Sequence, residues 1–372
     1  MGKPNIFVVA GEKSGDIHTS KLLVQLKKQI PNVSFVGIGG QRMEEAGLQS
    51  IVPLDRISVV GFSEVIKNIN YFRKTFEISK NILKSSNIDL VILVDFPGFN
   101  LKIAELASSL GIPVCYYIAP QIWAWGKKRI KKLEKNVDLL LVVLPFEKDF
   151  FSSYIENVEF VGHPLLDEPV FRNQILSYEE RENSIAILPA SRKSEIIHHH
   201  NLIIKVINSL KRELPEFVIK IPVLGSSFWE SFVTEVKRRF ENVVFEESSY
   251  EVLRSSKVGI IKSGTSNLES ALLGLPYVMF YKTSFATYFI AKQLVQIDYI
   301  SIVNLLLNGR FIPEFIQKDA TAEKIVSTIK ALLTDRDLYN SMQASFLKLR
   351  DLLGGSGASE RAAKKIIEFF GL

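Results

Sequence analysis

The stretch LVILVDFPGFN, residues 90–100, decides the fold and raises the question of function. Residues 90–94 are apolar without interruption, which is the pattern of a parallel strand covered on both faces. Pro97 cannot continue a strand ladder and Gly98 permits a tight turn, so the strand is predicted to end at Asp95. A carboxylate at the end of a buried strand is costly unless something there needs its charge. Asp95 is therefore the first candidate functional residue.

The composition narrows the class of protein. A chain of 372 residues predicts two domains, because one hydrophobic core rarely grows beyond about 250–300 residues. The hydrophobic fraction of 47% excludes a disordered chain. The formal net charge of +6 favours anionic partners, such as phosphates or an acidic membrane surface, and is too diffuse to indicate nucleic acid.

The cysteine content and the apolar runs indicate the compartment. Cys115 is the single cysteine, so no intrachain disulfide framework forms and a reducing compartment is favoured. The apolar run near the N-terminus is too short for a signal peptide, and the apolar block 139–146 is far short of a membrane span. We therefore expect a soluble, cytoplasmic protein, with room for contact with a membrane surface.

Short apolar runs alternate with helical patterns along most of the chain, which predicts doubly wound parallel sheets. The first set of predicted strands covers 5–11, 33–40, 88–95, 111–118, 137–145 and 158–164. The second set covers 184–191, 217–223, 242–247, 257–264 and 276–282. The fold class is therefore α/β, with two Rossmann-like domains facing each other across a cleft.

The domain boundary is expected between these two sets of strands. The proline-flanked, partly acidic segment HPLLDEPVFRNQ, 163–174, interrupts the alternation. We therefore assign residues 1–166 to an N-terminal domain and 167–356 to a C-terminal domain. The last segment, 357–372, is an amphipathic helix expected to pack back onto the first domain.

Ligands of such sheets bind outside the carboxyl ends of the strands, and one loop of the second half suits phosphate. A predicted helix opens there with small polar residues: Ser263, Gly264, Thr265 and Ser266. The free N–H groups and dipole of a helix N-terminus attract anions. Ser266 and Glu269 also have the spacing of a capping box, which is the structural alternative. In a nucleotide site Glu269 would instead accept hydrogen bonds from ribose hydroxyls.

A second loop of this half, LPASR (188–192), ends in an arginine that is suited to a diphosphate. The guanidinium of Arg192 presents a planar fork of donors, although a solvated arginine is the simpler alternative. The run His198–His200 follows, but adjacent residues on a helix point apart, so we expect no metal there.

Loops of the first half carry carboxylates and aromatic rings. In AGEKSGD (10–16), glycines allow close approach of a ligand, and Glu12 has no evident capping role, whereas Asp16 is a candidate helix cap. Trp123 stands before a basic helix, where it is a candidate contact for a sugar phosphate or an anionic lipid, or part of a solvated face.

Residues 59–78 carry an apolar stripe at helical spacing, with basic residues between. Its members are Val65, Ile66, Ile69, Phe72 and Phe76. Such a stripe usually packs into a core. The alternative is an amphipathic surface that faces a membrane or acyl chains.

Taken in order, these motifs resemble the lipid-A-disaccharide synthases, a family of GT-B glycosyltransferases. The resemblance rests on AGEKSGD (10–16), GGQRMEEAG (39–47), VGFSEV (60–65), DFPGFN (95–100), IWAWGKKR (122–129), LPFEKDFF (144–151), FVGHPLLD (160–167), LPASR (188–192), SGTSNLE (263–269) and DYISIVNLL (298–306). Each motif alone is weak, but the ordered set extends over nearly the whole chain.

The resemblance implies a reaction and two sides of a site. UDP-2,3-diacylglucosamine would donate its sugar to 2,3-diacylglucosamine 1-phosphate with inversion, giving a β-1,6-linked disaccharide phosphate and UDP. The acceptor would bind the first domain, where Asp95 matches the proposed general base, with Glu12, Ser14 and Trp123 beside it. The donor would bind the second domain through a set of residues that the resemblance implies: Arg192, Ser263, Gly264, Thr265, Ser266, Glu269 and Asn304. Neither metal nor cofactor is expected.

The resemblance also implies partners and a location. The acylated substrates imply peripheral contact with the anionic inner face of the cytoplasmic membrane, with no nucleic acid involved. The apolar stripe is then the membrane-facing or acyl-facing candidate, and the chain is expected to act as a monomer or a homodimer.

Three residues depart from the family pattern at positions that concern substrate contacts more than the reaction, and alternative functions are considered beside the resemblance. Gly98 stands where the family usually has a second aspartate, Ala190 where glycine is usual and Gly126 where arginine is common. The alternatives are a UDP-N-acetylglucosamine 2-epimerase or another GT-B transferase, and a regulator that binds nucleotide sugars without turnover.

Overall fold

Two parallel sheets organise the chain, one in each of two units. The computed structural model describes residues 3–54, 69–124, 126, 129–223, 229–284, 288–289 and 298–372. Unit 1 consists of Met1–Asp167 with Leu353–Leu372, and unit 2 of Glu168–Leu352. The structural boundaries therefore fall after residues 167 and 352, whereas the sequence analysis predicted them after residues 166 and 356.

The sheet of unit 1 has seven strands in the order β3-β2-β1-β4-β5-β6-β7. The strands are β1 (Asn5–Ala10), β2 (Ser34–Gly39), β3 (Leu48–Pro53), β4 (Leu90–Val94), β5 (Val114–Tyr117), β6 (Leu139–Val142) and β7 (Val158–Phe160). Every pairing is parallel, and β1 lies beside β4 with Ile6 opposite Leu90 and Ala10 opposite Val94. The end of β1 therefore lies next to the end of β4.

Helices cover the sheet of unit 1. They are α1 (Lys13–Gln29), α2 (Gln41–Glu45), α3 (Ile69–Ser85), α4 (Pro97–Ser109), α5 (Ile130–Asn136) and α6 (Pro145–Ser152). The residues of β4 are fully buried, as expected for a strand with an unbroken apolar run. The strand β3 was not predicted.

The sheet of unit 2 has six strands in the order β10-β9-β8-β11-β12-β13. They are β8 (Glu182–Leu188), β9 (Val218–Pro222), β10 (Val243–Glu246), β11 (Ser256–Lys262), β12 (Tyr277–Tyr281) and β13 (Glu314–Ile316). All pairings are again parallel. The prediction of two parallel α/β sheets is confirmed, and the short strand β13 was not predicted.

The helices of unit 2 are α7 (Lys193–Glu213), α8 (Glu230–Arg239), α9 (Ser249–Ser255), α10 (Thr265–Leu272), α11 (Ile302–Leu307), α12 (Ala322–Thr334) and α13 (Arg336–Leu352). The chain then returns to unit 1 as α14 (Ala358–Phe370), which packs against α1. The carboxylate of Asp167 accepts hydrogen bonds from the backbone N–H groups of Gly357, Ala358 and Ser359, at 2.6, 3.0 and 2.9 Å. This cap fixes the start of the returning helix.

In the described part of the chain, no helix is both long enough and apolar enough to cross a lipid bilayer.

Candidate active site

Asp95 leaves the carboxyl end of β4 in a left-handed backbone conformation. Its φ is 46°, that of Phe96 is 47°, and Ile118, just after the neighbouring strand β5, has a φ of 59°. Such conformations are costly for residues other than glycine and cluster at functional sites, although Asp tolerates them better than most. Three strained residues at adjacent strand ends mark this edge of the sheet as a functional candidate.

The backbone of this turn is held in place by its neighbours. The carbonyl oxygen of Asp95 accepts hydrogen bonds from the side-chain amide of Asn100, at 2.8 Å, and from the hydroxyl of Tyr116. The Asp95 N–H lies 3.3 Å from the carbonyl oxygen of Ile118. These contacts fix the peptide groups and leave the carboxylate half-buried at the surface of the turn.

The loop after β1 is fitted against the same turn. A Cβ atom placed on Gly11 would lie 2.3 Å from the ring of Phe96, so only glycine allows this approach. Glu12 follows in extended conformation, as the residue that precedes α1, and Ser14 lies in its first turn; both side chains are half-buried. The structure therefore brings the loop of Glu12 and Ser14 to the strand end that carries Asp95.

Asp16 caps a helix other than the one expected. Its carboxylate accepts hydrogen bonds from the backbone N–H groups of Gly40, Met43 and Arg42, at 2.8, 3.1 and 3.2 Å. These N–H groups lie at the start of α2, so Asp16 stabilises the N-terminus of that helix from its place within α1. Asp16 therefore has a capping role, but at α2 instead of α1. This role does not account for the carboxylate of Glu12.

The sequence did not identify Glu147, a buried carboxyl group close to Asp95. Its side chain is 1% exposed and accepts hydrogen bonds from the indole N–H of Trp123, at 2.9 Å, and from the N–H of Leu144, at 3.0 Å. Burial raises the pKa of Glu147 to about 7, and the negative charge of Asp95 acts in the same direction. The signal in the sequence is Pro145 followed by Glu147, which is typical of the first turn of a helix.

Trp123 is positioned by this carboxyl group. Its ring also packs edge-on against Phe146, with the ring centroids 4.9 Å apart. The side chain is half-buried. Trp123 is therefore an aromatic surface held by two contacts near the carboxyl ends of β5 and β6, and its acceptor-side role stays a prediction.

The apolar stripe falls partly outside the described residues. Val65 and Ile66 lie outside them, and α3 begins at Ile69, whose side chain is not described. Phe72 and Phe76 are half-buried and pack on the core, with the ring of Phe99 at 6.5 and 6.2 Å from theirs. These contacts agree with the alternative in which the stripe packs into the core. The acyl-facing role stays a prediction.

In unit 2, the loop after β11 opens the helix α10 without a side-chain cap. Gly264 occupies the N-cap position with a φ of 129°, a conformation that favours glycine. Ser266 lies inside the helix, so the alternative of a Ser266–Glu269 capping box is not realised. In the first turn the N–H of Asn267 donates to the carbonyl oxygen of Gly264 at 3.0 Å, whereas the leading N–H groups of an α-helix have no partner in the helix itself. Ser263 directly precedes Gly264, and Thr265 and Ser266 are the first two residues of α10.

Glu269 lies one turn further along α10. The hydroxyl of Tyr250 donates a hydrogen bond to its carboxyl oxygen at 3.3 Å. Burial raises the pKa of Glu269 to about 7, against the lowering effect of Tyr250 and Lys262. Its carboxyl group therefore has a pKa near neutral pH.

Arg192 precedes α7, and its side chain is exposed at the end of the loop after β8. The backbone N–H groups of Ser191 and Arg192 donate to the carboxylate of Glu195, at 2.8 and 3.3 Å. This carboxylate caps the N-terminus of α7 and fixes the loop that carries the guanidinium. Because β8 and β11 are paired strands, the loop of Arg192 and the loop of Gly264 leave the same edge of the sheet.

Asn304 is a structural residue in this conformation. Its side chain is fully buried and donates to the carbonyl oxygen of Ile312 and to Glu314, both at 2.8 Å. Its carbonyl oxygen accepts from the N–H groups of Phe311 and Ile312, at 2.9 and 2.7 Å. The amide thus holds the loop before β13, and direct contact with a nucleotide would require these bonds to break.

The three consecutive histidines point apart. His199 is buried and bonds to the backbone of Pro189 and Lys282, whereas His200 contacts Glu235 at 2.7 Å and His198 is exposed. Across the residues that the structure describes, no group of three or more His, Cys, Asp or Glu side chains is arranged to hold a metal ion.

Comparison with known proteins places the chain in a family. A sequence profile described as lipid-A-disaccharide synthetase matches residues 6–367. The lipid-A-disaccharide synthase of Geobacter metallireducens is 35% identical over 374 residues, which cover 98% of this chain and 97% of that protein.

Solved structures share the fold at much lower identity. A UDP-GlcNAc 2-epimerase from Neisseria meningitidis bound to UDP-GlcNAc is 13% identical, with a TM-score of 0.64 over 98% of each chain. The calicheamicin glycosyltransferase CalG4 is 16% identical, with a TM-score of 0.62 over 100% of this chain and 99% of that one. The fold is thus that of the GT-B class, with a Rossmann-like parallel sheet in each of the two units.

Proposed function

The chain belongs to the lipid-A-disaccharide synthase family of glycosyltransferases, and from this premise we propose the reaction that it catalyses. UDP-2,3-diacylglucosamine donates its sugar to the 6-hydroxyl of 2,3-diacylglucosamine 1-phosphate. The donor is α-linked and the product is β-linked, so a single in-line displacement inverts the anomeric carbon. The products are the disaccharide 1-phosphate and UDP.

Asp95 is the general base of this proposal. The acceptor hydroxyl loses its proton as it attacks, so a carboxylate is needed on the acceptor side. The observation that carries the proposal is the position of Asp95, half-buried at the end of the fully buried strand β4 in a strained turn. Glu12 and Trp123 follow strands at the same edge of this sheet, Ser14 lies in the first turn of α1 beside Glu12, and all three are the proposed acceptor contacts.

Unit 2 holds the donor in this proposal. The N-terminus of α10, with Ser263, Gly264, Thr265 and Ser266, receives the diphosphate, and Arg192 adds a planar charge. Glu269 accepts hydrogen bonds from the ribose hydroxyls, and Asn304 supports the site through the loop that it holds. Positive charge at the diphosphate stabilises the leaving group without a metal ion.

The acyl chains of both substrates motivate a membrane contact. We infer peripheral binding at the inner face of the cytoplasmic membrane, where each Lys or Arg near an anionic surface contributes roughly 1 kcal/mol. Val65, Ile66, Ile69, Phe72 and Phe76 are the proposed contacts with lipid or acyl chains. Flotation with anionic vesicles, compared with neutral vesicles, tests this location.

The experiment that tests the reaction is an assay of UDP release with the two acylated sugars. A synthase releases UDP only when donor and acceptor are both present, and the disaccharide appears in equal amount. A 2-epimerase acts on an unacylated UDP-sugar without an acceptor, and a regulator releases nothing. The absence of acceptor-dependent UDP release from well-folded protein would contradict the proposal.

A further inference from the structure

Lys262 is a buried cation that the reaction described so far does not use. It is the last residue of β11, directly before Ser263, and its side chain is only 6% exposed. Lysine is almost never buried to this extent unless its charge is paired. The burial lowers the pKa of Lys262, and the nearby positive charge of Arg192 acts in the same direction.

The ammonium group of Lys262 joins two loops. It donates a hydrogen bond to the hydroxyl of Ser191 at 2.9 Å and lies 3.5 Å from the carboxylate of Glu195. Ser191 belongs to the loop of Arg192, whereas Lys262 begins the loop of Gly264. The side chain thus ties together the two loops that carry the proposed diphosphate contacts.

The same ammonium lies against the start of α10. A Cβ atom placed on Gly264, the N-cap residue, would be 2.9 Å from the Lys262 nitrogen. A cation at a helix N-terminus opposes the helix dipole, so this arrangement is unfavourable unless negative charge is also present.

Charged groups of both signs lie around Lys262 among the described residues. Glu195 pairs with Lys262 but also caps the N-terminus of α7. Arg192 and the N-termini of α7 and α10 add positive potential, and the raised pKa of Glu269, about 7, limits its negative charge. Burial lowers the pKa of His199, which disfavours its charged form. The described residues thus bring Lys262, Arg192 and two helix N-termini to one edge of the sheet, an arrangement that suits a multiply charged anion.

We propose that Lys262 is a diphosphate-binding residue, whose ammonium contacts the phosphate held at the N-terminus of α10 and keeps the Arg192 loop beside it. The inference rests on the proposed function, in which unit 2 binds a UDP-sugar. When the bond between the anomeric carbon and the diphosphate oxygen breaks, the electron pair stays on UDP. Lys262 stabilises that charge while keeping its own proton, since the proton of the acceptor hydroxyl passes to Asp95.

The test compares binding of UDP and of uridine by titration calorimetry. Lys262→Met removes the charge at similar volume and should weaken UDP binding about 10- to 100-fold, the range for a hydrogen bond to a charged group. Uridine has no phosphate, so its affinity should change by less than about twofold. Lys262→Gln keeps a donor for Ser191 without the charge, and should show most of the same loss for UDP.

Lys257 supplies the matched control. It lies near the other end of β11, is 9% exposed, and donates to the side-chain oxygen of Asn183 at 2.6 Å. Lys257→Met removes an equally buried charge from the same strand, and should leave the ratio of UDP to uridine affinity unchanged. If Lys262→Met lowers both affinities by one factor, or if neither Lys262 variant affects UDP binding, the inference is overturned.

The outcome is independent of turnover. If the wild-type chain binds UDP in a Lys262-dependent manner but releases none from the acylated sugars, the inference stands and the proposed reaction fails. If UDP is released at an unchanged kcat and bound with unchanged affinity by Lys262→Met, the reaction stands and the inference fails. A Lys262→Met protein that binds uridine normally is folded at this site, so loss of structure cannot imitate the expected result.

Discussion

The two sheets share one architecture but present opposite chemistry at their carboxyl edges. In unit 1 the turn after the central strand β4 is strained at Asp95 and Phe96, and its neighbour Glu147 is a buried carboxyl group. In unit 2 the turn after the central strand β11 reaches its positive φ at Gly264 and is flanked by Lys262. The strained turn of unit 1 carries a carboxylate, whereas the turn of unit 2 carries backbone N–H groups and the ammonium of Lys262, with carboxyl groups beside it.

The difference between the turns has a physical reason. Where the side chain is the functional group, the strained position cannot be glycine, and the surrounding hydrogen bonds must hold it. Where the backbone N–H groups bind the ligand, glycine serves best because a side chain would block the approach. The four predictions that follow test whether unit 1 acts through a side chain and unit 2 through its backbone and fixed charges.

The largest effect is expected for Asp95→Asn. A positioned general base contributes about 10²- to 10⁴-fold to the rate, so kcat should fall by that factor. Asparagine tolerates the left-handed conformation, so the turn and the fold should persist. Steady-state UDP release and the melting temperature measure both consequences.

Asp138→Asn is the matched control for this change. The Asp138 carboxylate lies at the opposite end of the same sheet, where it accepts a hydrogen bond from the N–H of Val114 at 2.7 Å. Its loss can reduce stability but should leave kcat within about threefold of wild type. Near-normal turnover of Asp95→Asn would show that Asp95 is not the general base. It would also contradict the idea that unit 1 acts through a side chain at this turn.

The packing of Gly11 against Phe96 tests how tightly the strained turn is held. Gly11→Ala places a methyl group 2.3 Å from the ring, and should lower the free energy of unfolding by about 1–3 kcal/mol, as overpacked cores do. Gly15→Ala is the control, because its Cβ would lie 3.4 Å from that of Ala10, inside α1 where alanine is favoured. The free energy of unfolding is measured by urea denaturation. Equal losses in the two variants would show that the turn adjusts to the added methyl group at little cost.

The pKa of Glu269 predicts how nucleoside binding depends on pH. Ribose hydroxyls donate to the ionised carboxylate, so binding favours ionisation and affinity should rise with pH. With a pKa of about 7, the ionised fraction increases roughly tenfold between pH 6 and pH 8, and uridine affinity should rise by a similar factor. Uridine is chosen because UDP itself titrates in this range.

The controls for this profile come from both units. Glu269→Gln should bind uridine with little dependence on pH. Glu147→Gln removes a carboxyl group with a similar pKa of about 7 from unit 1, and should leave the profile of uridine binding unchanged. If Glu147→Gln flattens the profile instead, the nucleoside is bound by unit 1 and the assignment of the two edges is reversed.

The sequence predicted those features that depend on neighbouring residues. The apolar run before Asp95 fixed β4 and the turn that follows it, and the small residues at 263–266 marked the start of α10. The strand β3 was missed because it is an edge strand without a continuous apolar run or regular alternation, and β13 because it spans only Glu314–Ile316.

Contacts between distant residues could not be predicted in this way. Trp123 and Glu147 are 24 positions apart, and Ser191 and Lys262 are 71 apart. Their pairing depends on which strands are adjacent in the sheet, a property that periodicity does not define. The same limit applies to Asn304, whose motif indicated a ligand contact and whose amide is used by residues 311–314.

The smallest effect is expected for Gly98→Asp, which restores the second carboxylate usual in the family. A Cβ at Gly98 would meet no atom within 4 Å, and the position is exposed in the first turn of α4. An acidic residue there replaces a flexible glycine and complements the helix dipole, so the free energy of unfolding should rise by about 0.5–1.5 kcal/mol.

The effect of Gly98→Asp on catalysis should be small if Asp95 alone removes the proton, with kcat changed by less than about threefold. The acidic limb of the pH profile of kcat should move to higher pH, because a second negative charge raises the pKa of Asp95. Gly98→Asn separates the two effects, since it shares the gain in helix entropy but should leave the pH profile in place. A large increase in kcat for Gly98→Asp alone would mean that two carboxylates share the task of the base.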